Sequence, residues 1–119
     1  MDNRQDFQYN IDFLSRDQQI DIMQYAKSIC SEWWVDELCC SKSWARKKIE
    51  MSWKDAIDYF RNAKGFCYFS VIKRRFTEPC YFEIGYRLDN GSRDLFLWIN
   101  ISEDAGDDLI NEYSLKRRC

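Results

Sequence analysis

The chain has 119 residues and carries 18 basic against 20 acidic side chains with no histidine, for a net charge of −2. That length suits one domain, 1–119, able to bury about two-thirds of the surface its unfolded form exposes. A composition 45% hydrophobic and 17% aromatic excludes the charge-rich, aromatic-poor profile of a disordered chain.

No apolar run approaches the roughly 18 residues of a membrane span. The opening Met1-Asp2-Asn3-Arg4-Gln5-Asp6 lacks the basic-then-apolar order of a signal peptide. A cytoplasmic protein is expected, with Cys30, Cys39, Cys40, Cys67, Cys80 and Cys119 as reduced thiols. No two of them form a C-x-x-C pair, so neither a structural metal nor a cofactor is expected.

In chain order, residues 1 to 14 alternate loosely through Phe7, Tyr9, Ile11 and Phe13, as a short strand would. Ser15-Arg16-Asp17-Gln18 has the form of a capping box and predicts a helix from about 16 to 33. Its apolar stripe would be Ile20, Met23, Ala26, Cys30, Trp33 and Trp34. Val35 through Met51 reads as a short, interrupted helical connection broken near Ser41-Lys42-Ser43. Ser52 caps a second helix, about 53 to 64, with Gly65 placed to end it.

The period then changes to two, which predicts an antiparallel meander of three strands, about 66–76, 80–88 and 93–101. Asn90-Gly91 between alternating runs is the strongest short-range hairpin signal. A two-residue turn would pair Tyr86 with Leu95, Ile84 with Leu97, Phe82 with Ile99 and Cys80 with Ile101 on an apolar face. The other face would pair Arg87 with Asp94, Gly85 with Phe96, Glu83 with Trp98 and Tyr81 with Asn100. Ser102 then caps a helix, about 103 to 113, whose first turns hold Glu103, Asp104, Asp107 and Asp108. The expected class is α+β.

Charge is blocked along the chain: residues 1–40 carry a net −5, residues 41–87 a net +6 and residues 88–119 a net −3. The basic block holds Lys42, Arg46, Lys47 and Lys48, and then Lys73, Arg74 and Arg75. Beside aromatic side chains these bases have the chemistry of a nucleic-acid grip, and without a recognised motif they also fit a solvated surface paired with the protein's own acids. The acids Asp17, Asp21, Glu32, Asp36 and Glu37, with Asp104, Asp107 and Asp108, have the chemistry to meet a basic protein partner. On the second hairpin face Tyr81, Glu83 and Trp98 have the composition of an interface hot spot if no helix covers them. With histidine absent and no phosphate-binding loop among four glycines, an enzyme is not expected.

Through Tyr81-Phe82-Glu83-Ile84-Gly85-Tyr86-Arg87-Leu88 and Leu95-Phe96-Leu97-Trp98-Ile99-Asn100-Ile101, followed by an acidic helix, the chain resembles small bacterial immunity proteins. Those of contact-dependent growth inhibition systems are included, and the resemblance is of overall character and covers the last third of the chain best. It implies stoichiometric binding and inactivation of a toxin domain, often a basic nuclease. A phage-encoded inhibitor of a host defence complex has the same physical profile, and a nucleic-acid-binding module is the reading from a different class. No functional residue is carried over from the resemblance.

Overall fold

The computed structural model describes residues 7–11, 13–38, 46–62, 67–74, 80–89 and 94–117. The expected break near Lys42, the Gly65 stop and the Asn90-Gly91 turn lie outside them. The elements are β1 (Phe7–Asn10), α1 (Arg16–Ile29), β2 (Glu32–Leu38), β3 (Arg46–Ile49), α2 (Trp53–Arg61), β4 (Cys67–Arg74), β5 (Tyr81–Asp89), β6 (Asp94–Ser102), α3 (Glu103–Tyr113) and β7 (Lys116–Arg117). The class is α+β, and the predicted meander forms the centre of a wider antiparallel sheet, ordered β3-β2-β6-β5-β4-β1-β7.

All three helices among the described residues start where the sequence places a serine cap. The hydroxyls of Ser15, Ser52 and Ser102 accept from the backbone N–H of Gln18, Asp55 and Ala105, at 3.2, 3.1 and 3.3 Å. At Ser15 the box is closed by the Gln18 side chain, which accepts from the Ser15 N–H at 3.0 Å. These contacts satisfy donors that the first helical turn leaves without a partner.

Two stretches depart from expectation. Helix α1 ends at Ile29 instead of continuing to residue 33, and the expected helical connection contains the strands β2 and β3. The cause is pairing with a distant strand: Ser31 donates from its backbone N–H to the carbonyl of Asn100 at 3.0 Å. Glu32 through Glu37 then run antiparallel to Asn100 through Leu95. Trp33, Trp34 and Val35 favour extended backbone, and a long-range ladder overrides the helical spacing they share with Cys30.

The hairpin register also differs, by two residues. Tyr86 stands opposite Leu97, Ile84 opposite Ile99, Phe82 opposite Ile101 and Leu88 opposite Leu95. The strands therefore stop at Asp89 and resume at Asp94, with four residues between them in place of the two assumed. Because side chains alternate with period two, this shift leaves every residue on its predicted face. It exchanges cross-strand neighbours: Arg87 meets Phe96 instead of Asp94, and Gly85 meets Trp98 instead of Phe96.

The core lies between one sheet face and the helical layer. Phe82 and Ile84 of β5, Leu95, Leu97, Ile99 and Ile101 of β6 and Val35 of β2 pack with Ile20, Met23 and Ala26 of α1, Ile57 and Phe60 of α2 and Leu109 of α3. Gln19, the one buried amide among the described residues, donates from Nε2 to the carbonyls of Ile11 and Leu14 at 3.2 and 3.4 Å. Gly106 lets α3 reach the sheet, since a Cβ there would fall inside the contact distance of the fully buried Phe82 ring. Alanine at an ordinary helical glycine gains about 1 kcal/mol from propensity, whereas overpacking a core costs roughly 1–3 kcal/mol or more. Gly106→Ala is therefore expected to destabilise the protein by about 2 kcal/mol in urea unfolding, and Phe82→Leu in the same chain should relieve part of that loss.

Candidate functional site

The sheet face turned away from the helices carries the second set of alternating residues. Glu32, Trp34 and Asp36 of β2, Phe96, Trp98 and Asn100 of β6, Glu83 and Gly85 of β5 and Lys48 of β3 share it by register. None of the three described helices packs there, because the core cluster unites them with the opposite residues of the same strands. Phe96 marks the division: it is buried, with 7% of its surface exposed, yet it is the one buried apolar residue outside that cluster among the described residues.

One carboxylate organises this face. Oδ2 of Asp36 accepts from the indole Nε1–H of Trp98 at 3.1 Å and from that of Trp34 at 3.3 Å. The two rings stand opposite each other across β2 and β6, stacked at 28° with centroids 6.5 Å apart. Phe96 extends the stack, its ring 7° from parallel to Trp98 at 6.5 Å. Trp98 lies across Gly85, where a Cβ would come within 2.5 and 2.7 Å of ring carbons Cζ3 and Cε3. A glycine beneath an aromatic ring is a known way to fill a gap in a sheet, and here it lets the indole lie low against the backbone. Nζ of Lys48 sits 5.3 Å from the centre of the Trp34 ring, within cation–π range. Trp34 and Trp98 are half-buried, so both keep surface open to solvent.

Five of the residues singled out for partner binding, Glu32, Asp36, Tyr81, Glu83 and Trp98, fall on this face. Tyr81 stands at its end, where it also lines a cleft of about 470 Å³ with Cys30 and Cys80. Glu37 alternates to the helical side of β2 and faces Lys47 in the ladder, as Asp36 faces Lys48. The sequence reading missed Trp34, which it assigned to a helical stripe, and had no partner for Trp98 across β2. The aromatic and β-branched run Trp33-Trp34-Val35 was the signal available for a strand at that point.

The remaining acids lie on the other side of the molecule. Asp17 and Asp21 of α1 and Asp104, Asp107 and Asp108 of α3 are all exposed. The two bases of α1 turn toward α2: Arg16 donates to the carbonyls of Phe60 and Arg61 at 3.2 and 3.5 Å, and Lys27 lies 5.8 Å from the Trp53 ring centre. Acid is thereby left outward on these helices. Of the basic candidates, Lys42 and Arg75 lie outside the described residues. The backbone places Arg46, Lys47 and Lys48 on β3 and Lys73 and Arg74 on β4, with three strands between, about 19 Å at the usual strand spacing. The fold does not bring the two basic segments together, and Lys47 and Lys48 alternate to opposite faces.

Partial burial raises the pKa of the Tyr113 phenol, helped by the negative charges of Glu112 and Asp21. A raised pKa means that the folded state holds the proton longer than the unfolded chain. The stability tied to neutral Tyr113 is thus complete below the ordinary value of 10.0 and lost as pH rises through the raised one. Asp21→Asn should move the phenol back toward its ordinary value, read as the phenolate absorbance that distinguishes the wild type from Tyr113→Phe.

Removal of the Asp36 carboxylate leaves two indole donors without their acceptor. A hydrogen bond to a charged group contributes roughly 1.5–3 kcal/mol, and access of water to this face offsets part of that. Asp36→Ala should destabilise the protein by about 2 kcal/mol in urea unfolding and alter its near-ultraviolet circular dichroism. Asp36→Asn, which keeps an acceptor oxygen, should cost less. Neither family models, curated proteins nor solved structures give a match to this chain.

Proposed function

We propose that this protein is a cytosolic binding protein that neutralises a partner protein, and that the partner is a toxin domain to which it confers immunity. The observation that supports the reading is the pair of half-buried indoles held on Asp36, on a sheet face over which no described helix packs. Interfaces draw most of their energy from a few rigid aromatic and arginine anchors near the centre of the contact. Trp34 and Trp98 suit that role because their rings are oriented before any partner arrives, which lowers the entropic cost of binding.

Charge decides between this and a nucleic-acid module. A stacking platform for bases works beside cations that neutralise phosphates. By register this face carries the acids Glu32, Asp36, Glu83 and Asp94 together with the bases Arg46, Lys48, Arg74 and Arg87, and Lys48 covers Trp34. Acids interspersed with the bases suit a protein contact better than a polyanion, which a groove of one positive sign would take. The exposed acids of α1 and α3 supply a negative field, which accelerates encounter with a basic protein. A phage-encoded inhibitor of a host complex would use the same chemistry, and the identity of the bound protein separates the two.

The test is affinity capture from the native cell extract, with and without nuclease treatment, using the wild type and the Trp34→Ala/Trp98→Ala variant. The wild type should retain one protein stoichiometrically and abolish its toxic activity. Loss of a central anchor costs about 2 kcal/mol or more, so each single substitution should weaken the purified complex at least about 30-fold. Equal capture by the wild type and the double variant would move the interface off this face, and a nuclease-sensitive catch would replace the partner protein with nucleic acid.

A further inference from the structure

We propose that the seam between α1 and α3 is a second docking surface, separate from the aromatic sheet face, and that it takes a basic amphipathic helix of a partner protein. Among the described residues three large hydrophobic side chains are exposed, and two of them, Tyr25 and Ile29 at 43% and 42%, stand one turn apart on α1. Single exposed hydrophobics are ordinary on a protein surface, whereas a pair at i and i+4 forms one continuous apolar strip. Ile29 also lines the cleft of about 470 Å³, so the strip opens into a recess walled by Cys30, Tyr81 and Ile101.

The two helices run side by side in opposite directions. At one end Ile29 and Cys30 meet Ser102, Glu103 and Asp104 across the cleft, and at the other Asp21 comes near enough to the Tyr113 phenol to raise its pKa. A seam between antiparallel helices is the shape into which a third helix packs, its apolar side chains entering at one-turn spacing. Charge names the occupant. Helix α3 carries Glu103, Asp104, Asp107, Asp108 and Glu112 and no base, and α1 adds the exposed Asp17 and Asp21. Both bases of α1 are turned to α2, Arg16 onto the carbonyls of Phe60 and Arg61 and Lys27 over the Trp53 ring. Lys116 and Arg117 leave the end of α3 to pair with β1, and Arg74, opposite Tyr81 in the β4–β5 ladder, belongs to the sheet and not to the seam. A second copy of this chain would set acid against acid here, and an anionic membrane would be repelled. A basic helix with one apolar stripe matches both the strip and its acidic border.

The probe is the peptide Ac-KLAKLLKKLAKLLK-NH2, whose leucines form one helical stripe, titrated into the full chain. The Ile29 δ1 methyl resonance, assigned by Ile29→Val, and the Trp98 indole N–H are followed together. The Ile29 signal should shift and saturate. A peptide with glutamate in place of every lysine, and one with serine in place of every leucine, should each bind at least about tenfold more weakly. Tyr25→Ser/Ile29→Ser changes only exposed positions and should lower the affinity for a fluorescently labelled lysine peptide at least about tenfold, read as anisotropy. Asp21→Lys/Asp108→Lys should weaken it severalfold. Equal binding of the lysine and glutamate peptides, a response at Trp98 without one at Ile29, or unchanged affinity in the Tyr25→Ser/Ile29→Ser variant would each overturn the assignment. An Ile29 signal that moves with protein concentration alone would replace the partner helix with a second copy. No step of this test uses capture through Trp34 and Trp98, so the aromatic face and the helical seam stand or fall separately.

Discussion

Strand β6 pairs with β2 on one side and β5 on the other, so each residue from Asp94 to Ser102 is committed to one of two faces. Leu95, Leu97, Ile99 and Ile101 enter the core, and fully burying each contributes roughly 1.5–3 kcal/mol. Phe96, Trp98 and Asn100 take the other side by the same alternation. A slip of one residue would put both indole and amide into the core and four aliphatic side chains into water. The burial of one face thus fixes what the other presents, and the aromatic surface inherits its order from a core it does not touch.

That dependence gives the aromatic face a rigidity unusual for half-exposed side chains. Trp98 and Asp36 lie 62 residues apart in the chain, and the indoles of Trp34 and Trp98 both end on one oxygen of Asp36. Gly85 removes the side chain that would lift Trp98 from the sheet. Lys48 is brought over Trp34 only because β3 folds back on β2. Four strands therefore cooperate in one surface, and a change in any of them is expected to disturb the ring geometry.

The helical layer solves a different problem with the same economy. Arg16 and Lys27 are drawn inward against Phe60 and Trp53, where each guanidinium or ammonium meets a ring face. The acids of α1 and α3 stay in water, and those at the start of α3 also oppose the positive end of its dipole. The α1 and α3 helices consequently present acid to solvent, and the sheet side carries aromatic residues among charges of both signs. In the binding proposed above, the first would supply a long-range field and the second the contact.

The local signals in the sequence determined much of this. Serine caps at 15, 52 and 102 located the starts of all three helices, because a cap acts within a single turn. Alternation between residues 81 and 101 determined which side chains share a face, and period-two parity preserved that assignment through a two-residue error in register. The tertiary structure decided the rest. Turn length set the cross-strand neighbours, so Gly85 came to lie under Trp98 instead of Phe96. Pairing with β6 turned residues 32–38 from helix to strand, since a ladder between residues so far apart in the chain leaves no periodic mark distinguishable from local helical spacing. Which sheet face the helices cover, and hence which aromatic residues stay available, depended on the packing of α3 through Gly106 onto Phe82, a contact that no local pattern encodes.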